Sequence, residues 1–179
     1  MPASEQIAAE LTADETQFDL ESLFRAQYQR IAGLIARVVR DHARAEELAV
    51  EVFLKLSRDR KAQSENAEGW LYRAAVRIGL DELRRRTRRQ RYETLFGLAP
   101  AAPTPEEIHA AAEEREKVRQ VLSAIASRQA ELLLLRSEGL SYLELASALH
   151  LNPASVGTLL SRAQRAFRKE YIKRHGKQY

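Results

Sequence analysis

The chain has 179 residues, 45% hydrophobic and 30% charged, a globular composition with room for one domain or two small ones. It holds no cysteine, which excludes disulfides, thiolate metal sites and cysteine nucleophiles. The formal charge of +4 is unevenly spread, since every charged side chain from Met1 to Phe24 is acidic, while arginines crowd 84–91 and Arg and Lys return at 162–177. Clustered arginine points to an anionic partner.

Further exclusions follow. The four histidines, His42, His109, His150 and His175, are scattered without ligand spacing, so no metal and no cofactor is expected. No apolar run is long enough to span a membrane, so no membrane insertion is expected. The opening MPASEQIAAELTADE lacks a basic region and an apolar core, and reads as no signal peptide. These features describe a cytoplasmic protein. Helix-period patterns dominate and β-branched alternation is nearly absent, which predicts an all-α fold.

In chain order, residues 1–17 read as an acidic, weakly patterned flexible tail. A helix follows from about Leu20 to Arg40, with Asp19 as cap and Leu23, Ile31, Leu34, Ile35 and Val38 as its buried stripe. A second runs from about Ala43 to Leu56, with Leu48, Val52, Phe53 and Leu56 inward. SRDRKAQSENAE (57–68) has no periodicity and reads as a loop.

The next helix, GWLYRAAVRIGLDELRRRTRRQR (69–91), starts like a protein interior and ends in arginine. At about 100° per residue, Trp70, Arg73, Arg77, Arg84, Arg88 and Arg91 fall within about 60° of one another, with Asp81 at the edge of that arc. Leu71, Tyr72, Ala74, Ala75, Val76, Ile78, Leu80 and Leu83 fill the rest of the circumference. Arg85, Arg86 and Arg89 surround the tip. A solvated face with cations at a helix C-terminus is the plain alternative. Against it stand the lack of lysine, the few glutamate partners and the aromatic on the same strip. Guanidinium forks bind phosphates bidentately and an indole stacks on a base, so the strip is a candidate nucleic-acid surface.

Residues 92–111 carry Pro100, Pro103 and Pro105 and read as a linker. Four helical stretches follow, at about Ile108–Ile125, at 128–138 closed by Gly139, from Ser141 to about Leu149, and from Asn152 and Pro153 to about Tyr171. Ser141 and Glu144 form a capping box, and Asn152 caps a helix that begins with proline. The expected layout is two small helical domains, 18–91 and 112–173, followed by a basic tail, 174–179. LSYLELASALHLNPASVGTLLSRAQRAF (140–167) has helix-turn-helix form. Ala146 lies where its helices would cross, and Val156, Leu160, Ala163 and Phe167 face inward. Ser155, Thr158, Arg162, Arg165 and Lys169 lie on the other side, spaced as a groove-facing set. A plain helical hairpin is the alternative.

Together AEELAVEVFLKL (45–56), GWLYRAAVRIGLDELRRRTRR (69–89) and the stretch from Arg128 to Tyr171 resemble a bacterial RNA polymerase sigma factor of the extracytoplasmic-function type. The resemblance covers about 18–173. It implies a first domain, sigma domain 2, that binds core RNA polymerase and the −10 promoter element. It implies a second, the winged-helix-like sigma domain 4, that binds the −35 element. Residue by residue, it implies a polymerase-binding acidic patch at Glu47 and Glu51, followed by Phe53. It implies a −10 reading loop at about Gln63–Glu68, including Ser64, Glu65 and Asn66, that holds a flipped base. Trp70, Arg73, Arg77, Arg84, Arg88 and Arg91 would then hold the adjoining backbone, and Asp81 would order the local helix packing. The −35 contacts fall on Ser155, Thr158, Arg162, Arg165 and Lys169. An anti-sigma factor is implied as a further partner. Arg77 stands where the family often has asparagine, Gly157 and Leu159 replace polar or basic positions, and His150 takes a turn position where glycine is usual. These departures imply a divergent promoter preference.

Three other classes compete. A sigma mimic would bind an anti-sigma factor or polymerase without reading promoters, but would not need arginines aligned for phosphate. An autonomous repressor would want a dimer seam, and no heptad seam appears. An enzyme would want a nucleophile–base pair, a metal cluster or a glycine-rich phosphate loop, and the sequence has none. Glu46, Glu47 and Glu51 imitate a carboxylate site but have no histidine partner.

Overall fold

The computed structural model describes residues 18–63, 66–96 and 110–176. The predicted acidic tail, Ser64 and Glu65, most of the predicted linker, and residues 177–179 lie outside the described residues. The described residues form seven α-helices, α1 (Leu20–Val39), α2 (His42–Arg58), α3 (Ala67–Leu95), α4 (Ala110–Ala124), α5 (Ser127–Ser137), α6 (Tyr142–Leu149) and α7 (Val156–His175), without a β-strand. The all-α expectation therefore holds.

Local chemistry sets the helix ends. The Asp19 side chain accepts from the Ser22 amide at 2.9 Å and starts α1. That helix stops where Arg40 turns left-handed, at φ 57°, and Asp41 at once caps α2 by accepting from the Arg44 amide at 3.0 Å. Two caps in succession make a sharp corner, which brings α2 back along α1. Helix α3 continues past Arg91 to Leu95, into the stretch expected to be linker. No proline interrupts it before Pro100, and the Arg89–Glu93 pair at 3.3 Å spans one turn. At 29 residues it is about 44 Å long at 1.5 Å per residue, which lets one helix serve two groups of neighbours.

Helices α1, α2 and α3 pack together around Ile31, Leu34, Ile35, Leu48, Val52, Leu56, Leu71, Val76 and Leu80. All nine are nearly inaccessible, and each large aliphatic side chain so buried contributes about 1.5–3 kcal/mol. Helices α4 to α7 pack around Val121, Leu132, Leu135, Leu145, Leu149, Val156 and Leu160. The two groups are not held apart. Helix α3 also contacts α4, α5 and α6, and the buried residues of both groups form one continuous cluster. Gly69 marks the close approach, because a Cβ built there would lie 3.4 Å from the Ala148 Cα.

Beside Leu83, at the end of the core, lies a carboxylate. Glu82 is buried and meets three arginines, Arg85 at 3.0 Å, Arg86 at 3.2 Å and Arg44 at 3.6 Å. Arg86 also bonds Asp41 at 2.9 Å and the Val39 carbonyl at 3.1 Å, so it ties the α1–α2 corner to α3. This corrects two expectations. Asp81 is exposed, and the ordering of the helices falls on the next residue, Glu82. Arg86, expected as loose charge at the tip, is part of that structural network.

Candidate nucleic-acid interface

The helix-turn-helix consists of α6, a short turn and α7. The capping box at the start of α6 is present, with the Glu144 amide donating to Ser141 Oγ at 3.3 Å and the Ser141 amide donating to Glu144 Oε2 at 2.6 Å. His150 turns left-handed, at φ 50°, a conformation uncommon for a side chain larger than glycine. The Asn152 side chain accepts from the Ala154 amide at 2.9 Å and starts a single 3₁₀ turn, Pro153–Ser155, that leads into α7. Ala146, Val156, Leu160 and Ala163 are buried, and Phe167 is half-buried. Thr158, Arg162, Arg165 and Lys169 are exposed on the opposite side. Ser155 is half-buried and its hydroxyl donates to the Asn152 carbonyl at 2.7 Å, so it also serves the turn. The two unexpected residues have structural explanations. Gly157 lies under the Tyr142 ring, 3.5 Å from where its Cβ would be, and Leu159 packs against the core edge.

The arginine strip of α3 divides into two halves. Arg88 and Arg91 are exposed and make no ion pair among the described residues. The half nearer the N-terminus meets the second helix group. Arg77 Nε donates to Glu131 Oε1 of α5 at 3.2 Å. Arg84 donates to Ser127 Oγ at 2.7 Å, to the Ile125 carbonyl at 3.2 Å and to the Ser123 carbonyl at 3.3 Å. Those carbonyls close α4, where the helix has unpaired acceptors and the negative end of its dipole. Arg73 is half-buried, and burial followed by repulsion from Arg77 holds its pKa below the ordinary arginine value, with Glu131 opposing. Trp70 and Arg73 line a cavity of about 290 Å³ with Asp59, Lys61, Ala62, Asn66 and His150. The Asn66 amide nitrogen donates to the Ser147 carbonyl of α6 at 3.3 Å. Ser64 and Glu65, named with Asn66 as base-reading residues, lie outside the described residues.

Glu47 and Glu51 are exposed on α2. Each pairs within its own helix, Glu47 with Arg44 at 2.7 Å and Glu51 with Lys55 at 2.8 Å. Phe53, expected beside them as a contact, is a core residue with 4% of its surface accessible. Its ring packs edge-on against Phe24 with centroids 4.8 Å apart. The exposed apolar surface next to the glutamates belongs instead to Phe24, Val50 and Leu54, which with Leu20 and Phe53 line a shallow groove of about 390 Å³. Among the described residues, no cluster of three or more His, Asp or Glu is placed to hold a metal ion, and no helix is long and apolar enough to cross a membrane.

Two protein-family profiles match the chain, sigma-70 region 2 over residues 23–89 and sigma-70 region 4 over residues 115–166. The chain belongs to the sigma-70 family.

It is a sigma factor of the extracytoplasmic-function type and, as such, a transcription initiation factor rather than an enzyme. It is 29% identical over 147 residues to the extracytoplasmic-function sigma factor SigK of Mycobacterium tuberculosis, with 78% of each chain covered. It is also 29% identical over 161 residues to SigE of Mycolicibacterium smegmatis, covering 87% of this chain and 62% of that one. A solved structure of the sigma factor RpoE of Bartonella quintana, in complex with the anti-sigma factor NepR, has the same fold. It matches with a TM-score of 0.51 at 16% identity, over 88% of this chain and 98% of that one. The region 2 match ends at Arg89 and so contains the arginine strip up to Arg88, while the region 4 match begins in α4 and contains the helix-turn-helix as far as Ala166.

For this sigma factor, sequence reasoning missed Glu131, Ser127 and the carbonyl end of α4 as partners of the strip. The one available signal was Glu131 itself, an acidic residue between Ala130 and the run Leu132–Leu135. Such a charge in an apolar stretch asks for a partner.

Proposed function

We propose that this sigma factor docks on core RNA polymerase and directs it to promoters through two separate DNA readers. The observation that carries this reading is α7, which sets an exposed row of Thr158, Arg162, Arg165 and Lys169 over a buried row of Val156, Leu160 and Ala163. A helix so anchored enters a major groove with its cations toward phosphates and base edges. Residues 112–173 are the −35 reader in this reading, and residues 18–91 bind the −10 element and polymerase. Asn66, with Ser64 and Glu65, reads a flipped base, and Trp70, Arg73, Arg77, Arg84, Arg88 and Arg91 hold the backbone beside it. Residues 92–111 join the two readers. Glu47 and Glu51 meet a basic polymerase surface, and Phe24, Val50 and Leu54 add apolar contact there. The protein acts in the cytoplasm, where its polymerase works, and an anti-sigma factor restrains it.

The test is run-off transcription with core polymerase, this protein and a pool of promoter fragments covering the host genome. Start sites that depend on the protein are expected. Binding to core without any start site would favour a sigma mimic that engages polymerase or an anti-sigma factor only.

A further inference from the structure

A groove of about 860 Å³ runs between α1 and the α4–α5 pair. Its floor is apolar, with Leu34 and Val38 from α1, Val118 and Leu122 from α4, and Leu134 from α5. Two ion pairs bridge it, Arg37 to Glu138 and Arg40 to Glu116 at 3.5 Å, and the second is about half exposed on both sides. A pair so solvated contributes little. Arg115 lies on the rim, exposed and without an ion pair among the described residues. The walls therefore carry Arg37, Arg40, Arg115 and Arg119 against Glu114 and Glu138, and arginine stays in excess even with Glu116 counted. Gly33, inside α1, opens onto the same groove, and a Cβ built on it meets no atom within 4 Å. Glycine inside a helix is less favourable than alanine, and no described neighbour requires it here. Open space beside a glycine is room for the backbone of another chain segment.

We infer that this groove is the docking site of the chain's own acidic N-terminal segment, residues 5–15, with Ile7 and Leu11 on the apolar floor and the carboxylates against the rim arginines. The segment EQIAAELTADE has the matching chemistry. Ile7 and Leu11 stand among Glu5, Glu10, Asp14 and Glu15, and no basic residue occurs before Arg25. It also has the reach. From Asp19 back to Leu11 the extended chain spans up to about 28 Å, and back to Ile7 up to about 42 Å. Along α1 from Leu20, Leu34 lies about 21 Å away and Val38 about 27 Å. The other apolar groove, at Phe24, Val50 and Leu54, is lined by Glu21, and Glu47 and Glu51 share its helix α2, so it repels an acidic segment. Docked between α1 and α4–α5, the segment adds apolar contact to both and fastens the two helix groups together. The inference does not rest on the promoter-reading role.

The experiment uses the full chain, whose lack of cysteine lets a single pair be introduced. Ala9→Cys in the segment is combined with Ser137→Cys, an exposed position on the groove. Two control chains combine Ala9→Cys with Leu54→Cys in the other groove, or with Arg88→Cys on the α3 strip. Mild oxidation followed by non-reducing gel mobility and mass spectrometry reads which disulfide forms and how fast, and a thermal melt checks folding. The Ser137 pair is expected to close within one molecule about tenfold faster than either control. Adding Leu11→Asp should slow it about tenfold, because a carboxylate replaces a side chain that loses water on the floor. Gly33→Leu, which fills the groove from α1, should slow it likewise with a normal melt. Should Ser137→Cys fail to fold, Arg115→Cys on the α4 wall takes its place. Closure no faster than in the controls, or fastest at Leu54 or Arg88, overturns the inference. So does a pair that closes at the same rate with Leu11→Asp and with Gly33→Leu. Disulfides that join two molecules overturn it in favour of a second copy in the groove.

Discussion

Two faces of this sigma factor carry the same sequence signature, cations three or four residues apart on one side of an amphipathic helix. On α7 the row stays open, with Thr158, Arg162, Arg165 and Lys169 exposed. On the α3 strip, Arg77 and Arg84 bond the α4–α5 corner, Arg77 while staying half exposed, whereas Arg88 and Arg91 lie free of it. The difference teaches that spacing determines which side chains share a face, whereas tertiary packing determines whether that face is available. A third group of arginines, around Glu82, looks the same in sequence and is tied to a buried carboxylate instead.

The largest expected effect comes from that third group. Glu82→Ala removes the buried carboxylate that joins Arg85, Arg86 and Arg44, and should cost about 1.5–3 kcal/mol, seen as a lower denaturant midpoint. Arg88→Ala, on the exposed half of the same helix, should leave the midpoint nearly unchanged. An equal loss in both would erase the distinction between structural and surface arginines.

The same network gives an acid limb. Burial by itself would push Glu82 up, but hydrogen bonds from Arg85 and Arg86 outweigh it and hold the carboxyl below its ordinary 4.5. The Arg44 amide and the Arg86 guanidinium hold Asp41 below 3.8. Both groups are depressed, so their stabilisation is complete above those ordinary values and is lost as pH falls through the folded-state values. Denaturant midpoints should therefore fall on acidification below about pH 4.5, and less steeply in Glu82→Gln than in the parent.

DNA binding sharpens the comparison of the two rows. Arg162→Ala or Arg165→Ala should weaken promoter binding by the free protein, with about 1–3 kcal/mol of lost discrimination where the arginine reads a base edge. Where it holds a phosphate, binding should fall evenly across sequences and the salt slope should drop by about 1. Arg84→Ala should change binding by the free protein less than either, because its guanidinium already has three internal acceptors. Anisotropy titrations on one duplex compare all three variants. The smallest effect is Ser141→Ala, which removes half of the capping box and should cost about 1 kcal/mol of stability. A thermal melt reads it.

Much of the fold was legible because it rests on local chemistry. Asp19, Ser141 and Asn152 act as the caps their residue types promise, and Val156 and Ala163 face the core at the phase expected from their spacing. The site was legible in part. The exposed row of α7 and the glutamates of α2 lie where periodicity places them, and Phe53 faces inward as its spacing predicts. What failed is the contact role that the resemblance gave Phe53, since Phe24, Val50 and Leu54 hold the exposed apolar surface beside the glutamates.

By itself, then, the sequence determined the seven helices within a few residues, the turn that joins α6 to α7, and the faces on which the arginines lie, since all of these depend on neighbours within a turn or two. Tertiary structure alone decided that Glu82 rather than Asp81 organises the helix corner, and that Arg77 meets Glu131, 54 residues away. Such partners are chosen by the approach of one helix group to another, and nothing in the local order of residues encodes that distance.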